Sequence, residues 1–116
     1  MKRRPVGLLG EKEIVLQAVE MVGKWDVMLA GIKGDELLIV SKKECPNQLT
    51  IEGMKLNVKR YDPDNYISLL YENENIFRDY RVFYFVKVYM RKILDLLAYL
   101  EVSRLSMDSM DFKTSE

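Results

Sequence analysis

Histidine is absent from all 116 residues. That gap removes the Ser-His-Asp triad, the Cys-His pair, imidazole metal ligation and the usual proton shuttle. Cysteine occurs once, as Cys45, which excludes an internal disulfide and a cysteine zinc cluster. Cys45 lies in KKECPN, beside Pro46, and Lys42 and Lys43 are the neighbours expected to lower its pKa if the thiol is reactive. An unreactive loop thiol is the plainer expectation. Excess charge is also missing. Eighteen basic residues balance eighteen acidic ones, so no net field draws the chain to nucleic acid or anionic lipid.

Long uninterrupted apolar runs are lacking too. The segment 81–100, RVFYFVKVYMRKILDLLAYL, has the length of a membrane span but carries Arg81, Lys87, Arg91, Lys92 and Asp95. Each such charge at mid-bilayer costs roughly 2.5–3.5 kcal/mol on insertion scales. The start, MKRRPVGLLGEKE, has no apolar stretch of signal-peptide length. These features lead to the expectation of a cytoplasmic protein with no membrane partner.

What is present suits one small domain, 1–105, with an unstructured tail at 106–116. The chain is 48% hydrophobic, enough for a core, and 31% charged, a fraction compatible with a thermophilic origin. EKEIVLQAVEMVG (11–23) is expected to be a helix. Ile14, Val15, Ala18, Val19 and Val22 recur at helical spacing, Glu11 and Glu13 sit in the first turn, and Gly23 ends it. WDVMLAG (25–31) and ELLIVS (36–41) are nearly continuous apolar runs. They read as central strands covered on both faces, joined across a Gly-bounded break.

In the stretch after 48, Met54, Leu56 and Val58 alternate with Lys55, Asn57 and Lys59, a strand with one buried face. Glu52-Gly53 is a candidate two-residue turn joining it to a short strand at 48–51. Asp62 then caps a helix that starts with Pro63 and buries Ile67, Leu70 and Tyr71.

The segment 81–100 has two periods. VFYFV is rich in β-branched and aromatic residues, whereas Tyr89, Ile93, Leu96, Leu97 and Leu100 follow a helical stripe, with Arg91 and Asp95 paired outside it. We expect a strand at 82–86 and a helix at 88–104; one helix over 78–104 is the rival. The fold class is therefore α/β (α+β): a small mixed or mostly antiparallel sheet of four to five strands packed with about three helices.

Four residues are candidates for binding a nucleotide phosphate. Gly31, Lys33, Gly34 and Asp35 lie in GIKGDE, where glycines after a strand can offer backbone N–H groups and Lys33 adds charge. The Gly-Lys-Ser/Thr pattern of a P-loop is missing, and a plain turn is the competing reading. VMLAGIKGDELLIVS followed by GMKLNVKRYDPDNYISLL resembles a minimal nucleotidyltransferase domain over roughly residues 25–86. The resemblance implies a strand ending in Gly-Ser, a turn, an Asp-x-Asp strand and a third carboxylate holding two Mg²⁺ ions. Here Ile32 replaces the serine and the connecting segment is several residues short. Asp35 matches the first carboxylate, Leu37 occupies the second, and Asn57 stands near the third. What the resemblance implies is a degenerate form without catalytic metals.

Asp62, Asp64, Glu72 and Glu74 fall close in sequence, but helix capping explains DPDNY better than a metal site. No catalytic residue, metal or cofactor is expected. Ten of the twelve aromatic residues lie between Tyr61 and Tyr99, interleaved with Arg78, Arg81, Lys87, Arg91 and Lys92. Such a face, together with Lys2, Arg3 and Arg4, suits single-stranded nucleic acid. Charge balance makes nucleic acid a secondary expectation. The C-terminal half is too apolar for three helices to cover, so the leading expectation is a non-catalytic interaction module. It would act as a homodimer that packs its last helix against its mate through Tyr89, Ile93, Leu96 and Leu100.

Overall fold

The computed structural model describes residues 9–114, with side chains described from 9 to 105. Helix α1 spans Glu11–Val22 and a 3-10 turn spans Lys24–Asp26. Strands β1 (Val27–Lys33), β2 (Glu36–Ser41), β3 (Gln48–Ile51) and β4 (Met54–Tyr61) follow. Then come α2 (Pro63–Glu72), the single-turn α3 (Asn75–Arg78), β5 (Arg81–Phe85) and α4 (Lys87–Thr114). The sheet is mixed, with order β3-β4-β2-β1-β5, and only β2 and β4 run parallel. Among the described residues, four helices pack with five strands, an α/β fold as the periodicities predict.

β2 is the central strand, and its alternation builds both cores. Leu37 and Ile39 face α1, joining Ile14, Val15, Ala18 and Val19. Leu38 and Val40 face the other way, toward Tyr66 and Leu70 of α2 and Tyr89, Ile93, Leu96 and Leu97 of α4. A bulge in β1 between Val27 and Leu29 turns Met28 and Leu29 to the same face, so β1 also serves both layers. Its start lies two residues later than the apolar run suggests, because Trp25 falls in the 3-10 turn and is 92% exposed.

Local signals act as their chemistry dictates. Gly23 takes φ +110° and returns its N–H to the Val19 carbonyl, ending α1. Asp62 accepts hydrogen bonds from the N–H groups of Asp64 (3.0 Å) and Asn65 (3.4 Å), capping α2. Glu52 and Gly53 have φ of +51° and +79°, both positive as a two-residue I′ hairpin demands.

The segment 81–100 is two elements. β5 pairs antiparallel with β1, and α4 starts one residue after the strand exits. The single-helix rival fails because Val82 and Tyr84 take ladder positions opposite Gly31 and Ala30. Two expectations need correction here. Arg91 and Asp95 form no ion pair within 4 Å. The stretch 106–114, expected to lack regular structure, continues α4 to Thr114. It has neither Gly nor Pro, and extending a formed helix costs far less than starting one.

Candidate functional site

The proposed interface residues serve the chain's own core. Tyr89, Ile93 and Leu96 are buried against the sheet and α2, and Leu100 packs on the same cluster half-buried. The Tyr89 hydroxyl donates to the Pro63 carbonyl at 2.7 Å, which seats α4 on the start of α2. This corrects the expectation that a second copy covers this stripe: α4 presents it to β1 and β2 instead. The helical period was right and the occupant was wrong.

What α4 leaves open is the opposite face. Leu94, Tyr99, Val102 and Leu105 are each more than half exposed, and Ala98 between them is exposed too. Leu94, Ala98, Val102 and Leu105 are spaced four, four and three residues apart, which keeps them on one side of a helix. Arg91, Lys92, Asp95 and Glu101 surround them, exposed and without ion-pair partners among the described residues. At 28 residues α4 is about 42 Å long, against about 26 Å for the eight residues of β4, the longest strand, so its C-terminal part outruns the sheet.

A buried carboxylate ties that outrunning helix down. Glu74, its side chain only 10% exposed, lies between two guanidinium groups. Arg78 Nε donates to its Oε2 at 2.6 Å, and Arg104 of α4 forms an ion pair through Oε1, which has no further partner. Glu72, Asn73, Asn75 and Glu101 complete the wall of an adjacent cavity of about 480 Å³.

The hairpin end of the sheet holds a second polar site. Of the four phosphate-loop candidates, only Lys33 and Gly34 reach a cavity. Gly31 sits inside β1, where an added Cβ would meet the Arg81 carbonyl oxygen at 2.8 Å, so its role is close packing against β5. Gly34 and Asp35 form the β1–β2 turn, Gly34 at φ +62°, and the Asp35 carbonyl accepts the Asn57 N–H at 2.9 Å.

Lys33 instead stands over the Tyr80 ring, 5.3 Å from its centroid. It lines a cavity of about 240 Å³ with Glu36, Lys59, Tyr61, Asn73 and Tyr80 among its walls. The Tyr80 hydroxyl donates to Glu36 Oε2 at 2.6 Å. Burial first, then this hydrogen bond and the charge of Glu36, raise the Tyr80 pKa. Among the described residues, Lys33 and Lys59 have no carboxylate partner within 4 Å. Sequence reasoning missed Lys59 and Tyr80, because the β2–β4 pairing that brings Lys59 alongside Leu38 has no local signature.

At the opposite end of β1 and β2, Asp26 Oδ2 lies 3.3 Å from Lys43 Nζ. Ser41, fully buried, accepts the Lys43 N–H through Oγ at 3.1 Å, and Arg60 donates to the Ser41 and Lys42 carbonyls, each at 3.1 Å. These bonds pin the strand end to β4. Cys45 is next to them and half-buried. Burial pushes its thiol pKa up, against the lowering charge of Arg60, so the lysine activation considered from sequence is overridden.

Asp62 and Asp64 serve the α2 cap. Among the described residues, no three His, Cys, Asp or Glu side chains converge on a metal position. No helix among them is long and apolar enough to cross a membrane. Lys2, Arg3 and Arg4 lie outside the described residues. In the basic face proposed with them, Arg78 is bound to Glu74 and Arg81 to Glu11 at 3.1 Å.

The class this geometry defines is a three-layer α/β protein with a mixed five-stranded sheet. Comparison with protein-family models, curated proteins and solved structures finds no match to this chain.

Proposed function

We propose that this chain is a non-catalytic interaction module that works as a homodimer. One observation carries the reading: the apolar stripe of Leu94, Ala98, Val102 and Leu105 on the outer face of α4, left uncovered among the described residues. Covering side chains of this size returns about 1 kcal/mol each when half their area is involved. The zero net charge adds no long-range repulsion between copies. Light scattering is expected to give twice the 13.6 kDa chain mass, and Leu94→Glu with Val102→Glu to halve it without changing the far-ultraviolet circular dichroism. A wild-type chain that stays monomeric at every soluble concentration rules the homodimer out.

A second reading is favoured by the lysine-lined cavity. A degenerate nucleotidyltransferase-type nucleotide binder would use Lys33 and Lys59 for phosphate and the Tyr80 ring beside them. Its test is a thermal-shift screen with nucleoside triphosphates, with and without Mg²⁺. A ligand at about 100 times its Kd stabilises by about 2.7 kcal/mol. Lys33→Ala should abolish the shift; no shift with any nucleotide removes the reading.

A further inference from the structure

We infer that the second copy docks with its α4 antiparallel to the first, in a register that sets Arg91 of one helix beside Glu101 of the other. This rests on the homodimer reading and specifies its geometry. Three observations lead to it.

The first is the face itself. Tyr89, Ile93, Leu96 and Leu97 are buried by the chain's own sheet, so α4 has one stripe satisfied and a second one open. A helix apolar on two sides is a helix between two partners. The open stripe reaches from Leu94 to Leu105, and beyond Leu100 α4 has outrun the sheet.

The second is charge. The first six residues of α4 hold Lys87, Arg91 and Lys92 and no acid. From 93 to 114 the acids Asp95, Glu101, Asp108 and Asp111 outnumber Arg104 and Lys113. Arg104 is moreover committed to Glu74. Two parallel helices would lay cation on cation at one end and acid on acid at the other, which is destabilising. Antiparallel helices reverse every one of these encounters, and their macrodipoles oppose as well.

The third is availability. Arg91 and Glu101 are exposed, lie beside the apolar stripe and have no ion-pair partner in their own chain among the described residues. With Arg91 opposite Glu101 the two-fold axis falls near residue 96, toward the Leu94 end of the stripe, where Leu94 of each copy meets the small side chain of Ala98 on its mate. That juxtaposition of large with small lets the helices approach closely. An unrelated helical partner would need the same spacing and the reverse charge order; a second copy of this chain has both.

The experiment is a charge-reversal cycle on the full chain, read by sedimentation equilibrium, with circular dichroism confirming the fold. Arg91→Glu and Glu101→Arg are each expected to raise the dimer Kd about tenfold or more, since each brings like charges together twice by symmetry. The double variant Arg91→Glu/Glu101→Arg is expected to regain most of the wild-type affinity. A wild-type dimer indifferent to both single reversals overturns the antiparallel pairing and leaves the homodimer standing. Single reversals that weaken the dimer without mutual rescue also overturn it, because the two charges then do not face each other. A monomeric wild type overturns both readings.

Discussion

Glu52 stands at φ +51°, a left-handed backbone conformation that costs a residue bearing a Cβ about 1–2 kcal/mol. The β3–β4 hairpin requires it, since both central residues of an I′ turn need positive φ, and Gly53 satisfies only the second. Glu52→Asn is therefore expected to stabilise the protein by about 0.5–1 kcal/mol in urea melts, with an unchanged denaturant slope.

Burial raises the pKa of three tyrosines, Tyr66, Tyr80 and Tyr89. The neutral phenol is thus favoured in the folded state. Its contribution is complete below the ordinary tyrosine value of about 10 and is lost as pH rises from there through the raised folded values. Melting temperature is expected to fall steadily above about pH 10. Tyr66→Phe should flatten that fall while costing about 1 kcal/mol at neutral pH, because its hydroxyl donates to the Ile76 carbonyl at 2.9 Å.

α4 depends on contacts at both ends. Tyr89 seats its first turn on α2, and Arg104 ties its far part to Glu74. Glu74→Gln removes the charge shared by two guanidinium groups in a nearly buried position. The expected cost is about 1–3 kcal/mol, reduced from the fully buried case because both arginines stay partly exposed. Hydrogen exchange should accelerate in α4 beyond Leu100 more than in the strands; uniform acceleration would mean that the clasp stabilises the whole fold rather than this helix. The same element shows how far periodicity carries. Its spacing identified the buried stripe, yet a stripe facing a sheet and a stripe facing another helix have the same spacing.

For the whole molecule, the proposed dimer would make stability depend on concentration. If folded copies pair and unfolded ones do not, the melting temperature rises with protein concentration by mass action. Melts from low micromolar to millimolar chain are expected to shift upward, and the Leu94→Glu/Val102→Glu variant to show no such shift.

By itself, the sequence determined what short-range chemistry controls. The Asp62 cap, the Gly23 terminator, the Glu52-Gly53 turn and the change from strand to helix near Lys87 each depend on neighbours a few residues away. The alternation in β4 was legible for the same reason. Only tertiary structure decided the order of the strands, the parallel pairing of β2 with β4, and hence which polar side chains meet. Lys33 joins Lys59 and Tyr80 because β1, β4 and the turn before β5 converge at the hairpin end. Gly31 is needed for a carbonyl fifty residues further along the chain rather than for a phosphate. Such contacts are chosen by the burial of both faces of one sheet at once, a condition that no window of the chain contains.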